Sequence, residues 1–529
     1  MEHGASQHVS GATDAIATSH PLATQAGQRV LADGGNFMDA ALCAAAVLNV
    51  AEPWASQLGG DVFMLIHDGG RALPVAINGS GRSPRRLDPA RYTEPRPWRG
   101  IHSATVPGEV HGWCAAHTRY GSLPMTELLA PAIELAERGF EIDDEFLRVL
   151  GIAPEAHGQP GFAAQFLPGG EPPPLGSILK QPALAHTLRQ LASEGAGALY
   201  QGAVAERLLE ASRRLGGGLC ADDLAGQTSY VGPAISLEYR GWTIHEQPPP
   251  SQGLIVLCAL GLWEALGAAE LPHDDARRVH VAIEAMRLAS ADVHAYLADP
   301  EFEDFDAVVQ SLLDRFRLRS RAAEIDWQRA GTYAAAPLHR GRSTTYLAVG
   351  DRTGRAVSFI QSLYYPFGSG VVVDGTGILL NNRMNGFDVS ARHPNRLRGG
   401  VRPRHTLNTW MAFRGGELRY VGGTPGGDKQ VQWNFQIIRR LLDDGMTIEQ
   451  ANAAPRWAIN DAGGLDIEAD FGRQVIDGLM ERGHALAVVP PRAVGGRVQL
   501  LERDPATQRW SASCDPRCRG TVGANLQGG

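Results

Sequence analysis

Residues 344–351 read Thr-Thr-Tyr-Leu-Ala-Val-Gly-Asp, and after the turn signal Asp351-Arg352-Thr353-Gly354 the chain resumes an apolar run over 356–362. β-Branched, aromatic and aliphatic residues on either side of an Asp-to-Gly turn predict a hairpin of two buried strands. Downstream, strand-like runs recur at 378–380, 418–421, 485–489 and 498–501, with helices over 430–442 and 471–482 set among them. Upstream, residues 331–342 mix Gly, Pro, Ala, His and Arg without a period and read as an exposed loop, where a backbone cut is sterically feasible. The first third alternates helix and strand signals. Helices are expected over 24–32 and 38–50, parted by the breaker Gly34-Gly35-Asn36, then a buried strand over 61–67 and a helix over 125–138. The middle third reads as mostly helical, at 254–266 and 276–297. Sheets flanked by helices predict stacked layers.

At 529 residues the chain exceeds a single small core, so one large layered domain or several units are expected. Its hydrophobic fraction of 43% and charged fraction of 20% fit a globular protein. The net charge of −8 with no basic run excludes nucleic acid as the main partner. The apolar stretch 40–51 contains Asn49 and is too short to span a bilayer. Residues 1–19 are polar, without a basic segment followed by an apolar one, so a cytoplasmic protein with no membrane partner is expected. Cys43 and Cys258 lie in apolar helical patterns and read as core residues. Cys514 and Cys518 are close enough in sequence to pair or to bind metal, but no second Cys/His pair completes a zinc spacing.

Several chemistries are ruled out by pattern. There is no G-x-S-x-G elbow, no H-E-x-x-H helix and no GxGxxG after a strand. His245-Glu246 runs straight into prolines. Thr424-Pro-Gly-Gly-Asp-Lys429 lacks the Gly-Lys-Ser/Thr ending of a phosphate loop. What remains is a hydroxyl at the head of a strand, Thr344, and glycine pairs able to offer backbone N–H groups. A threonine hydroxyl is a poor nucleophile without a base. Were Thr344 a chain terminus, its own α-amine, with a reference pKa of about 7.7–8.0, could take the hydroxyl proton near neutral pH. The strand context alone does not single it out, because Thr-Thr also satisfies β propensity.

Ordered motifs do single it out. Gly34-Gly-Asn-Phe-Met-Asp-Ala-Ala41, Leu58-Gly-Gly-Asp-Val-Phe63, Val106-Pro-Gly108, Leu123-Pro124 with Pro131-Ala-Ile133, and Pro248-Pro-Pro-Ser-Gln-Gly253 come first. Glu284-Ala-Met-Arg287, Ala291-Asp292 and Asp299-Pro300 follow. After Thr344 come Phe367-Gly-Ser-Gly370, Gly377-Ile-Leu-Leu-Asn-Asn382, Pro425-Gly-Gly427 and Asp515-Pro-Arg517. In this order and over nearly the whole chain they resemble the γ-glutamyltranspeptidase family of N-terminal nucleophile hydrolases.

The resemblance implies an α+β fold, a four-layer αββα sandwich, made as an inactive precursor. Self-cleavage between Ser343 and Thr344 would leave a large segment 1–343 and a small segment 344–529 that stay associated, with a dimer of such pairs as the larger assembly it allows. Thr344 would then form an acyl-enzyme with a small-molecule amide, resolved by water or an acceptor amine. The resemblance also implies that Gly426 and Gly427 form the oxyanion hole and that Ser362 stands where the family has a threonine bonded to the nucleophile. It implies no metal and no organic cofactor.

The substrate-recognition set departs from the family. Ser80 stands where an arginine holds the donor's α-carboxylate, and Gly386 where an aspartate binds its α-amine. Tyr364 replaces an asparagine, Arg383 a glutamine, and His405 and Thr406 a pair of serines. Losing the aspartate removes the partner of a substrate ammonium group, while Arg383, His405 and Arg82 add positive character. A small anionic amide, as for oxamate amidohydrolases, is therefore expected in preference to a γ-glutamyl donor. The alternatives are a true γ-glutamyl hydrolase or transpeptidase, a cephalosporin or glutaryl acylase, and an unprocessed binding protein on the same fold.

Overall fold

The structure is a computed structural model that describes residues 8–70, 73–92, 96–302, 304–333 and 343–525. The opening hairpin forms as expected: Ser343–Gly350 and Ala356–Tyr364 pair antiparallel, closing at Gly350 and Ala356. Asp351 makes the turn, accepting from the N–H groups of Thr353 and Arg355, and Gly354 supplies the positive φ of 82° that the reversal requires.

Side chains along this hairpin alternate between two environments, and that alternation builds the layers. Leu347, Val349, Val357 and Phe359 point into one core with the helices Pro21–Ala32, Phe37–Ala51 and Glu109–Tyr120. Tyr346, Ala348 and Ile360 point the other way, into a core shared with Met411, Val421, Leu501, Trp510 and Ala512 of a second sheet. The far face of that second sheet, including Trp410, Ala412 and Leu500, is covered by Gly253–Leu266, Ala276–His294 and Gln430–Leu442. Helix, sheet, sheet, helix is the αββα sandwich. Both sheets have seven strands.

The hairpin sits at the middle of its sheet. Asp14–Thr18 flanks Ser343–Gly350 on one side and Asp61–His67 flanks Ala356–Tyr364 on the other. Burial on both faces explains why these strands carry almost no charge.

Predicted elements and observed ones agree closely where the apolar pattern is long. The strand over 61–67 and the helices over 125–138 and 430–442 have their predicted bounds. The break at residues 34–36 ends as a capping box, with Asn36 and Asp39 satisfying each other's backbone N–H groups. Short strands add to the predicted set: Asp14–Thr18, Trp242–Glu246, Thr409–Arg414, Trp510–Cys514 and Thr521–Asn525 carry no local strand signal, and His245-Glu246 ends a strand. The run at 485–489 belongs to a separate three-stranded sheet, Leu486–Val489 beside Leu465–Glu468. The loop predicted over 331–342 lies outside the described residues from 334 onward. All six cysteines are free thiols. No helix among the described residues is long and apolar enough to cross a membrane.

Candidate active site

Thr344 occupies an irregularity in the hairpin. Ser343 pairs with Tyr364 and Thr345 with Gln361, so Ser362 and Leu363 together oppose the single residue Thr344. Tyr364, at φ 85°, absorbs the extra residue. A bulge of this kind re-aims side chains that a regular ladder would fix. Here it brings three oxygens together. Thr344 Oγ1 donates to Ser362 Oγ at 3.0 Å, and Ser362 Oγ donates to the Ser343 carbonyl at 2.7 Å. The Tyr364 N–H donates to Ser362 Oγ at 2.8 Å, so that hydroxyl gives its one proton and accepts two. Thr344 is only 7% exposed.

Behind the hairpin a buried polar network fixes the strand. Thr345 Oγ1 bonds Ser56 Oγ, Ser56 bonds Asn49, and Asn49 donates to Glu109 at 2.6 Å. Gln361 closes it with bonds to Asn49 and Ser56. Burial raises the Glu109 carboxyl well above the usual range, with nearby Asp61 adding to the effect.

A cavity of about 830 Å³ opens on this point, lined among others by Ser343, Thr344, Pro366, Gly426 and Trp433. Gly426 has φ 148° and Gly427 φ 60°, and a Cβ on Gly426 would lie 2.1 Å from the Trp433 ring. Only glycine fits that close approach. The pair leads into Gly427–Lys429 and then the helix Gln430–Leu442, so its N–H groups belong to the positive end of a helix dipole. The Gly427 carbonyl is held from behind by Gln252 at 2.9 Å. Glu52 lines the same cavity; burial pushes its carboxyl up to about 7 although Ser19 donates to it at 2.5 Å. Its role in the cavity had no signal in the sequence.

The structure also gathers Arg383, His405, Thr406 and Tyr364, but as a buried cluster around Asp61 rather than on the cavity wall. Arg383 Nε and His405 Nε2 each lie 3.2 Å from Asp61 Oδ2, and the guanidinium stacks 4.1 Å over the Tyr364 ring. Arg383 Nη1 reaches Thr406 Oγ1 at 3.4 Å. Burial, with Arg383 beside it, pushes His405 down to about 4, so it is neutral near pH 7. Arg82 ion-pairs with Glu301 at 2.5 Å and is not among the residues lining the cavity. The positive character expected of Arg82, Arg383 and His405 is thus largely met inside the protein. In the sequence Asp61 stands in a glycine-rich strand entry 322 residues before Arg383, a separation that hides the pairing.

Known proteins are similar to this chain in sequence and in fold. A family profile described as Gamma-glutamyltranspeptidase matches residues 23–525. The chain is 36% identical over 494 residues to the glutathione hydrolase-like YwrD proenzyme of Bacillus subtilis (strain 168), covering 91% of this chain and 92% of that one. It is 35% identical over 521 residues to the oxamate amidohydrolase proenzyme of Klebsiella pneumoniae subsp. pneumoniae, covering 95% and 97%. Among solved structures, the cephalosporin acylase from Bacillus halodurans superposes with a TM-score of 0.89 at 31% identity, over 99% of this chain and 97% of that one.

Proposed function

The chain belongs to the gamma-glutamyltranspeptidase family of hydrolases, and from that premise we propose that it cuts itself before Thr344 and then hydrolyses a small amide through an acyl-enzyme on that residue. The observation that carries the reading is the hydrogen-bond chain from Thr344 Oγ1 through Ser362 to the Ser343 carbonyl. One serine holds the nucleophile and polarises the carbonyl that the nucleophile would attack.

The self-cleavage step follows from these contacts. Thr344 Oγ1 adds to the Ser343 carbonyl carbon while the Ser362 O–H steadies the developing oxyanion. The C–N bond breaks, the hydroxyl proton passes to the departing nitrogen, and Ser343 becomes an ester on Thr344 Oγ1. Water hydrolyses the ester, leaving segments 1–343 and 344–529 and a free α-amine on Thr344. In each later turnover that amine takes the Oγ1 proton as the hydroxyl attacks the substrate carbonyl and returns it to the leaving amine. The N–H groups of Gly426 and Gly427 are assigned to the substrate oxyanion. Replacing Ser362 by Ala should slow self-cleavage on the order of 10²-fold, read as the rate at which the full-length band converts on a denaturing gel. An unchanged rate would remove Ser362 from the mechanism.

For the acyl group, the reading favours a small anionic amide. Asp61 is already engaged by Arg383, His405 and the Gly81 N–H, leaving no carboxylate there for a donor's ammonium group. Arg383 is held in the buried pair with Asp61 and off the cavity wall, so the anionic preference is carried by the missing partner for an ammonium group. The oxamate amidohydrolase relative fits this chemistry. In side-by-side assays, kcat/KM for oxamate should exceed that for a γ-glutamyl anilide by roughly 10²-fold or more. Efficient γ-glutamyl turnover would sink the anionic assignment while leaving the nucleophile intact.

A further inference from the structure

His280, Glu284 and His484 come together on the outer helical layer, away from the cavity. His280 and Glu284 stand one turn apart on Ala276–His294, so both project from the same face. His484 arrives from the turn after the helix Arg473–Glu481. The His280 Nδ1 to His484 Nε2 distance is 2.7 Å, and one donor atom from each of the three residues lies within 4.8 Å of the others. All three side chains are buried.

The tautomer of His280 is set from behind. Its Nε2 lies 2.8 Å from the Asp326 carbonyl, which can only accept, so Nε2 carries the proton and Nδ1 turns its lone pair toward His484. A ring nitrogen donating to a backbone carbonyl is the outer support usual for a metal-bound imidazole. His484 Nδ1 has no hydrogen-bond partner among the described residues despite its burial.

We propose that His280, Glu284 and His484 form a divalent-cation site of the zinc type, with two imidazoles and one carboxylate as ligands. Zinc bonds of about 2.0–2.1 Å in tetrahedral geometry place ligand atoms about 3.3 Å apart, so the two rings must separate by roughly half an ångström on binding. The Glu284 carboxylate also accepts from the Gly331 N–H at 2.8 Å and from Arg287 at 3.2 Å. The cation would therefore share Glu284 with the Gly331 backbone. If the chain is cut as proposed above, His280 and Glu284 belong to one product and His484 to the other, and the ion ties the two together. The sequence could not display this set, because His484 lies 204 residues from His280.

The test uses the full-length protein stripped with a chelator, titrated with Zn²⁺ by calorimetry and with Co²⁺ by visible absorption. One equivalent of Zn²⁺ per chain, a tetrahedral Co²⁺ spectrum and a Zn²⁺-dependent rise in Tm are expected. His484→Gln and Glu284→Gln should each weaken Zn²⁺ roughly tenfold or more. Thr344→Ala should bind it normally, which separates this site from the cleavage reading. Absence of stoichiometric binding to the unmutated protein would overturn the proposal even if a variant failed to fold. So would binding left intact in both site variants, since it would lie at other histidines.

Discussion

A Thr344→Ala chain should run as one full-length band on a denaturing gel and show no amide hydrolysis, a loss on the order of 10⁶-fold in kcat for a removed nucleophile. The substitution deletes a hydroxyl that makes one hydrogen bond, to Ser362, and a methyl. Its cost to stability should be about 1 kcal/mol, far below what unfolds a domain, so an intact thermal transition should accompany the lost chemistry. Thr344→Ser restores the hydroxyl and should restore cleavage. A Thr344→Ala chain that still splits at this peptide bond would defeat the mechanism, and a folded but uncut native chain would reduce the site to a binding pocket.

The second large effect is expected at Arg383. Arg383→Met keeps most of the volume but removes the cation from a fully buried pair with Asp61. Removing one partner of such a pair costs about 3–5 kcal/mol, because the other charge stays buried. Asp61 retains the Gly81 N–H and His405, which favours the lower end of that range. The pH dependence supplies a sign. Burial and, after it, Arg383 hold His405 neutral; without the guanidinium, uptake of a proton by His405 restores charge balance. The deficit in Tm should therefore be smaller near about pH 5 than near about pH 8. A deficit that grows toward acid would mean that Asp61 is not the group left exposed by the change. The same variant loses the stacking on Tyr364, whose N–H holds Ser362, so slower self-cleavage should accompany the lost stability.

How much of this was legible in the sequence depended on where the information lies. The central hairpin is apolar on both faces, and residues 344–362 specify it locally. Asp14–Thr18 is five residues, two of them alanine, and takes its strand form from neighbours at Ser343–Gly350 and Thr521–Asn525. No local pattern announces a strand defined by pairing with partners as distant as Leu347 and Asn525. The site divides likewise. Thr344, Ser362 and the glycine pair stand in or beside ordered motifs, and the fold brings Thr344 to Ser362 at hydrogen-bond distance. The companions of Arg383 were not legible, because Asp61 reaches it only through the sheet. Charge counted along the chain made Arg82 and Arg383 look available; the fold gives each a carboxylate.

The strand order of the two sheets has a consequence for the lifetime of the molecule. Asp14–Thr18 lies between Thr521–Asn525 and Ser343–Gly350, and His8–Ala12 pairs with Trp510–Cys514. Neither segment, taken alone, contains the whole of either seven-stranded sheet. Before the cut, the strands are tethered at an effective concentration on the order of millimolar, and refolding is unimolecular. Afterwards the same fold can be regained only by a bimolecular encounter that dilution slows. Self-cleavage, as proposed, would thus turn a protein able to renature into one whose persistence is governed by its rate of unfolding. Uncut Thr344→Ala chains should recover from denaturant independently of dilution, whereas cut chains should recover less the more dilute they are.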